Sequence, residues 1–280
     1  MDFVVSYPKS GNTWIRLVAT AYGTDVEPEA LMRSTEPTLG EMNLKDVETR
    51  HYQAVSPVPL QDVDFGTEVR LRPAAMLLLE QTASRLTDRA PFLIQSHHIH
   101  ASVNDIPLWH PDWTDRIINP VRDPREVCCS QAAHFGNSYE ETARIMSESR
   151  ARTGPGESPD VRWLIGSWSA HIRGWLSADG FSVHTVRYED LNADPLGEFY
   201  DILDFLGVSN LSMDAVRDAI ETTQFDRLQE AEAEHGFPEA GDKQFFRSGE
   251  TDGWKEELPV EVARTIERDH GEVMEALGYL

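Results

Sequence analysis

Ser6-Tyr7-Pro8-Lys9-Ser10-Gly11-Asn12-Thr13-Trp14 decides how the rest of the chain is read; it is entered from Phe3-Val4-Val5 and followed by Ile15-Arg16-Leu17-Val18-Ala19-Thr20. A β-branched run, a tight turn and a helical run form the strand-loop-helix unit that holds phosphates. The amides of the turn and of the first helical turn lack intrahelical partners, and the helix dipole adds about half a positive charge there. Gly11 lets the backbone approach an anion, Ser10 and Thr13 add hydroxyl donors, and Lys9 adds a mobile charge. The order is unlike a Walker loop, G-x-x-x-x-G-K-[ST], because Lys9 precedes the only glycine and no glycine opens the loop. Alone, the stretch also reads as a plain strand-to-helix turn carrying a surface lysine.

The chain has 280 residues, 40% of them apolar, with seven Trp and eleven Phe, which suits one globular domain over residues 1–280. No apolar run is long enough to span a bilayer, and the first strand begins at once with no basic leader, so the expectation is a cytoplasmic protein. Cys128 and Cys129 are adjacent in a helical stretch, where side chains point about 100° apart, a poor geometry for a bridge or a metal site. The balance of 25 basic against 48 acidic residues, a net charge of −23, argues against nucleic acid as a partner. Only four of the basic residues are lysines, Lys9, Lys45, Lys243 and Lys255. A lysine kept in so lysine-poor a chain is plausible as a point charge on a flexible stem. The acidic surface also suggests a salt-rich environment, a hypothesis that loss of activity at multimolar salt would contradict.

Along the chain, residues 24–75 carry weak signals, with short helices expected over Leu31–Arg33 and Leu39–Val47. Pro73–Leu86 reads as a helix with proline in its first turn. Pro91–His97, Arg116–Val121 and Ser182–Tyr188 read as strands after the first, and Asp123-Pro124 as the cap and first position of a helix reaching about His134. A helix over Tyr139–Arg150 and a break at Thr153-Gly154-Pro155-Gly156 follow. Trp163, Ile165, Trp168, Ile172, Trp175 and Leu176 recur at three- and four-residue intervals, as one buried helix face would. Helices are expected over Leu196–Leu206, Met213–Ile220, Phe225–Ala233 and Pro259–Leu277, with a long Gly/Pro-rich loop over 234–253. Strands separated by helices predict an α/β fold: a central parallel sheet with helices on both faces in three layers, P-loop-like, its ligands bound beyond the carboxyl ends of the strands.

Four strand tips then carry polar groups: the Lys9 loop, Ser96-His97, Arg122 with Ser130 one helix on, and Tyr188. The order and character of these pieces resemble the sulfotransferases that use 3′-phosphoadenosine-5′-phosphosulfate (PAPS). The resemblance covers nearly the whole chain and is nearest to soluble bacterial members, including those that sulfate glycopeptide antibiotics, through SYPKSGNTW, Gly166-Ser167-Trp168 and RYEDLNADP. It implies transfer of a sulfuryl group to a hydroxyl or amine, leaving adenosine 3′,5′-bisphosphate (PAP), with no obligatory metal. By that resemblance the first stretch is the 5′-phosphosulfate loop, from Lys9 through Ser10, Gly11, Asn12 and Thr13 to Trp14 on the adenine. Lys9 is then the donor to the bridging oxygen whose charge grows in the transition state.

The same resemblance implies that Arg122 and Ser130 hold the 3′-phosphate, with Ser130 near Lys9 and restraining it, while Arg125 reads as a residue paired to Asp123. Arginine suits phosphate because its planar fork grips two oxygens. Arg247-Ser248-Gly249 resembles the closing loop over the 3′-phosphate, with Ser248 where the family often has lysine and Gly253 one position late. Thr223, Phe225 and Tyr188 match adenine contacts, although a capping threonine and a core phenylalanine explain the first two equally well.

Gln95-Ser96-His97 stands where the family has K-T-H or K-S-H, making His97 the candidate general base and Gln95 a departure from lysine. An unperturbed imidazole titrates near neutral pH and can accept a proton there. His98, His100 and His110 compete for the role. His97, His98, His100 and Asp112 also form a metal-ligand alternative, against which their i, i+1, i+3 spacing speaks.

The reading is thus a sulfotransferase acting on a small-molecule acceptor. Its rivals are a kinase, which would want a Walker lysine and carboxylates for magnesium, and a catalytically silent PAP-binding protein. A homodimer is left open. The acceptor pocket is expected from residues 24–75, 98–115, 134–158 and 234–253. Trp109, Trp113, Phe135 and Phe237 there suggest an aromatic or lipophilic acceptor.

Overall fold

The computed structural model describes residues 1–24, 27–33, 44–85, 91–153, 161–237, 239–240 and 243–280. Six strands occur among them: β1 (Asp2–Val5), β2 (Ile94–Ser96), β3 (Ser102–Val103), β4 (Ile106–Pro107), β5 (Arg116–Val121) and β6 (Ser182–Arg187). β2, β1, β5 and β6 form one sheet in that order with every pair parallel, and β3 and β4 make a small antiparallel hairpin. The first-half helices are α1 (Asn12–Thr24), α2 (Pro28–Arg33), α3 (Thr49–Val55), α4 (Phe65–Ala83), α5 (Pro124–Phe135) and α6 (Tyr139–Met146). The second half adds α7 (Trp168–Leu176), α8 (Tyr188–Ala193), α9 (Pro195–Phe205), α10 (Met213–Thr222), α11 (Phe225–His235), α12 (Trp254–Glu257) and α13 (Val260–Ala276).

The period of two along a strand sorts the core. Val4, Ile118 and Val186 join Ile15, Val18, Phe199 and Ile202 of α1 and α9 on one face of the sheet. Phe3, Val5, Ile94 and Ile117 join Val69, Met76 and Leu79 of α4 on the other. Strands buried on both faces read as near-continuous apolar runs, as a parallel sheet between two helical layers requires. The expected α/β architecture is therefore observed, and every crossover returns the next strand tip to the same edge.

Several local expectations change. α4 begins eight residues before Pro73, because Asp64 caps it by accepting the Thr67 amide at 2.7 Å, and Pro73 sits inside the helix. One lost backbone bond there is tolerated within a helix whose buried face includes Val69, Met76 and Leu79. Of the helix expected over Leu39–Val47, residues 39–43 lie outside the described residues. Leu44–Val47 is not helical, and Lys45 bridges in parallel to Gln95. The tryptophan period spans a boundary: Gly166 has φ +70°, Ser167 caps α7, and Trp163 and Ile165 belong to the lead-in, not to the helix. Gly154, Pro155 and Gly156 of the expected break lie outside the described residues. Cys128 and Cys129 are buried and free, and burial pushes both thiols up to about 12. Among the described residues no helix is long and apolar enough to cross a membrane.

Candidate active site

The parallel register delivers the site. Val5 pairs with Ser96 and Val121 with Arg187 at the carboxyl ends, so the next residues, Ser6 with His97 and Arg122 with Tyr188, emerge side by side. They open into a cavity of about 1070 Å³, whose lining includes Lys9, Gly11, Trp14, His97, Arg122 and Ser130. Tyr188, Thr223, Phe225, Arg247, Ser248 and Gly249 line it as well. The motif residues read from the sequence, Ser10 excepted, thus meet in one place.

The loop is held tightly. Lys9 and Gly11 have φ of +70° and +101°, and a Cβ on Gly11 would lie 2.7 Å from the Tyr188 ring, so only glycine fits that contact. Asn12 and Thr13 line the cavity, but their side chains are occupied. Asn12 Nδ2 donates to the Val4 carbonyl at 3.2 Å while its Oδ1 accepts from Arg16 Nε at 2.9 Å. The Thr13 hydroxyl donates to Glu239 at 3.0 Å. Ser10 is wholly buried and does not line the cavity, so its expected hydroxyl donation to a ligand is not prepared by this arrangement. Trp14 packs edge-on against Phe199 and Tyr188 at 5.0 and 6.1 Å between ring centres.

Arg122 clamps neighbouring pieces. It donates to the Glu250 carbonyl at 2.7 Å and the Lys9 carbonyl at 3.4 Å, and its guanidinium lies 4.3 Å over the Tyr188 ring. The Tyr188 hydroxyl donates to the Gly249 carbonyl, and a Cβ on Gly249 would lie 2.7 Å from the Phe225 ring, so the loop after α11 seats against the strand tips. Arg247 is engaged with Glu257 at 2.6 Å. Thr223 caps α10 and donates its hydroxyl to the Ala219 carbonyl at 2.9 Å, which matches the capping explanation and still leaves it in the cavity wall. Arg125 bonds Asp123, Glu267 and the Tyr279 carbonyl, the structural role read for it.

Lys9 and Ser130 share the cavity, but no hydrogen bond joins them among the described residues. The Lys9 ammonium instead lies 3.8 Å over the Phe245 ring. Burial lowers the Lys9 pKa to about 8, with Arg122 pushing the same way and Glu239 opposing.

His97 Nδ1 lies 2.8 Å from the Ser6 carbonyl. A carbonyl only accepts, so the ring proton is on Nδ1 and Nε2 carries the lone pair, which accepts from the Gln95 amide at 3.1 Å. Burial lowers the imidazole to about 4, against the near-neutral value expected of a free ring. The rivals point elsewhere. His98 Nδ1 accepts the Leu164 amide, His100 packs against Trp175 and Phe181, and His110 pairs with Asp112. Among the described residues no three His, Cys, Asp or Glu side chains gather as metal ligands, and the alternative set of His97, His98, His100 and Asp112 is dispersed.

Asp46 and Glu239 had no signal in the sequence, and Trp163 none for a place at the site. Asp46 is fully buried, paired with Arg72 at 2.6 Å and accepting from Ser96 Oγ and Trp163 Nε1 at 2.7 Å each. Burial raises its pKa, but the Arg72 charge and these bonds outweigh that and hold the carboxyl below its usual range. Trp163, so fixed, stands edge-on to His97 at 4.8 Å. Glu239 accepts from Thr13 and, at 2.5 Å, from Arg16; although burial works against ionisation, Arg16 holds its pKa at about 2. Of the segments expected around the acceptor, 98–115 contributes no lining residue, and Trp109, Trp113 and Phe237 are core. Phe135 does line the cavity, with Trp163 and Ile165 as further walls.

The family model described as "Sulfotransferase domain" matches residues 2–278. Sulfotransferase 2A2 of Mus musculus is 24% identical over 279 residues, covering 97% of this chain and 83% of its own. Cytosolic sulfotransferase 17 of Arabidopsis thaliana is 22% identical over 295 residues, covering 99% and 75%. Among solved structures, retinol dehydratase in complex with androsterone and inactive cofactor PAP superimposes with TM-score 0.61 at 20% identity, covering 98% of this chain and 80% of that one. Mouse sulfotransferase SULT7A1 complexed with PAP gives 0.59 at 17%, covering 97% and 82%. At those identities the structures speak for the fold, while the match to the family runs from the first strand to the last helix. The chain belongs to the sulfotransferase domain family.

Proposed function

We propose that the chain is a PAPS-dependent sulfotransferase that moves a sulfuryl group to a hydroxyl or amine of a small-molecule acceptor. The observation that carries this is the single sheet edge at which a lysine-bearing anion loop, an arginine stacked on a tyrosine, and a cavity-lining histidine whose Nε2 lone pair is met only by the Gln95 amide among the described residues come together. The nucleotide lies with its 5′ end in the Lys9–Trp14 loop and its 3′-phosphate toward Arg122, Arg247, Ser248 and Gly249, with Ser130 alongside; Trp14, Tyr188, Thr223 and Phe225 surround the base. His97 Nε2 takes the acceptor proton once the acceptor displaces the Gln95 amide. A base of pKa about 4 takes that proton late, as the new O–S bond forms and the attacking hydroxyl becomes acidic. The old O–S bond breaks with its electron pair left on the bridging oxygen, where Lys9 donates to the growing charge.

Replacing His97 by alanine is expected to lower transfer about 10²- to 10⁴-fold while PAP still raises the melting temperature. Transfer at the wild-type rate would remove His97 from the role. Stabilisation by ATP and not by PAP would overturn the sulfotransferase reading in favour of a kinase, and PAP binding with no turnover on any hydroxylated acceptor would favour the silent binding protein.

A further inference from the structure

The cavity inverts the charge of the molecule. In a chain with 48 acidic and 25 basic residues, its walls carry Lys9, Lys45, Arg122, Arg152 and Arg247 against Glu126, Asp226 and Glu239 among the described residues. Low-dielectric walls of one sign concentrate ligands of the other. The nucleotide accounts for Lys9, Arg122 and Arg247, which leaves Lys45 and Arg152. Neither has an ion pair with a carboxylate within 4 Å among the described residues, although Lys45 is near enough to Glu239 for its charge to help keep that group ionised.

The backbone of both cations is fixed by bridges beside the cavity. Lys45 bridges in parallel to Gln95, the residue whose amide meets His97 Nε2. Arg152 bridges antiparallel to Leu164, and its guanidinium lies 4.8 Å over the Phe65 ring. Trp163 links the two positions: its indole N–H donates to Asp46, the residue after Lys45, and its backbone N–H donates to Thr153, the residue after Arg152. The cations therefore flank the tryptophan that stands against the candidate base. Ile165, Ile145 and Phe135 supply apolar wall around them.

Resting on the sulfotransferase reading, we infer that the acceptor is an amphipathic hydroxy compound carrying an anionic group, with Lys45 and Arg152 binding the anion while the apolar body lies at Trp163. A carboxylate is the simplest such group. Lys45 is half-buried and Arg152 exposed at the cavity wall; an ammonium would be repelled by both and a wholly neutral body would leave their charge unused, while the nearby carboxylate, Glu239, is already bound by Arg16 and Thr13.

The test uses matched pairs of aryl and alicyclic hydroxy acids and their carboxamides or methyl esters, assayed for PAPS-dependent transfer by the full chain and for melting shift in the presence of saturating PAP. The acids are expected to exceed their neutral partners in kcat/KM or in melting shift by about tenfold in effective affinity, the scale of one charge-assisted bond. In Lys45→Met and Arg152→Met that acid-to-neutral ratio falls toward unity, and in Lys45→Arg it persists. Retention of the PAP-induced shift in each variant shows that it is folded. Neutral compounds sulfated or bound as well as their acids would overturn the inference while leaving sulfuryl transfer intact. Absence of any PAP-induced shift in the wild-type chain would instead strike the sulfotransferase reading itself.

Discussion

The two ends of the cavity are built in different ways. The proposed donor end comes from residues one to four positions beyond strand tips, Lys9, Arg122 and Tyr188, joined by contacts across adjacent parallel strands. The proposed acceptor end adds to the β2 tip, Gln95 and His97, the residues Lys45, Arg152 and Trp163 from segments far apart in the chain, with Trp163 and Ser96 bonded to one buried ion pair, Asp46 with Arg72. A parallel sheet prepares the first end by topology alone, since every crossover returns to the same edge. The second end relies in addition on a buried tertiary anchor.

The sharpest way to break that contrast is at the anchor. Asp46→Ala leaves Arg72 buried without its counter-charge and removes acceptors for Ser96 Oγ and Trp163 Nε1. A loss of roughly 3–5 kcal/mol in unfolding free energy is expected, read from urea titration. Where the variant stays folded at low temperature, transfer falls far more than PAP affinity. Equal losses in both would mean that the two ends are one unit.

Lys9→Ala acts at the other end and is expected to do the reverse. Transfer falls about 10²- to 10³-fold from loss of a donor at the developing charge, and PAP affinity falls with it because the ammonium also serves binding. Stability changes little, since among the described residues the ammonium meets the face of Phe245 and the attraction of Glu239, against repulsion from Arg122. Calorimetric titration with PAP separates the two effects. An unchanged dissociation constant would confine Lys9 to the chemical step.

The same contrast explains which parts of the molecule could be read from the chain. The donor end follows from local grammar: Val4-Val5 before the Lys9 loop, Asp123-Pro124 after a strand, Tyr188 at a tip. Each signal lies within a few residues of the atoms that use it. The sheet and its edge follow for the same reason. Asp46 carries no such signal, because an acidic residue after Leu44-Lys45 looks like surface until Arg72, 26 positions later, buries it. The spacing of Trp163 to Trp168 suits a helix, whereas Gly166 at φ +70° and the Ser167 cap start the helix later. Glu239 lies in a loop without periodicity, so its seat on Thr13 and Arg16 is a purely tertiary fact. The position of His97 after a strand is legible, but its lowered basicity comes from burial that no neighbour in sequence announces.

The smallest expected effect is a pH dependence that tells the ends apart without mutation. Lys9 in the free protein titrates at about 8 and His97 at about 4, both lowered first by burial. PAP is anionic and binds the charged lysine better, so the lysine contribution to its affinity is level below about pH 7 and declines as the pH rises through 8. A single proton sets the limit at about tenfold per pH unit above the lysine pKa. Bound PAP raises the Lys9 pKa, so the decline in kcat for the saturated enzyme begins at higher pH than the decline in PAP affinity. His97, neutral across this whole range, adds no limb near 6.5, where an exposed imidazole would place one. Lys9→Arg keeps its charge and flattens the alkaline decline. A decline that persists in Lys9→Arg would assign it to another group, and an acid limb near 6.5 that disappears in His97→Ala would show that the acceptor end is wetter and less enclosed than the donor end beside it.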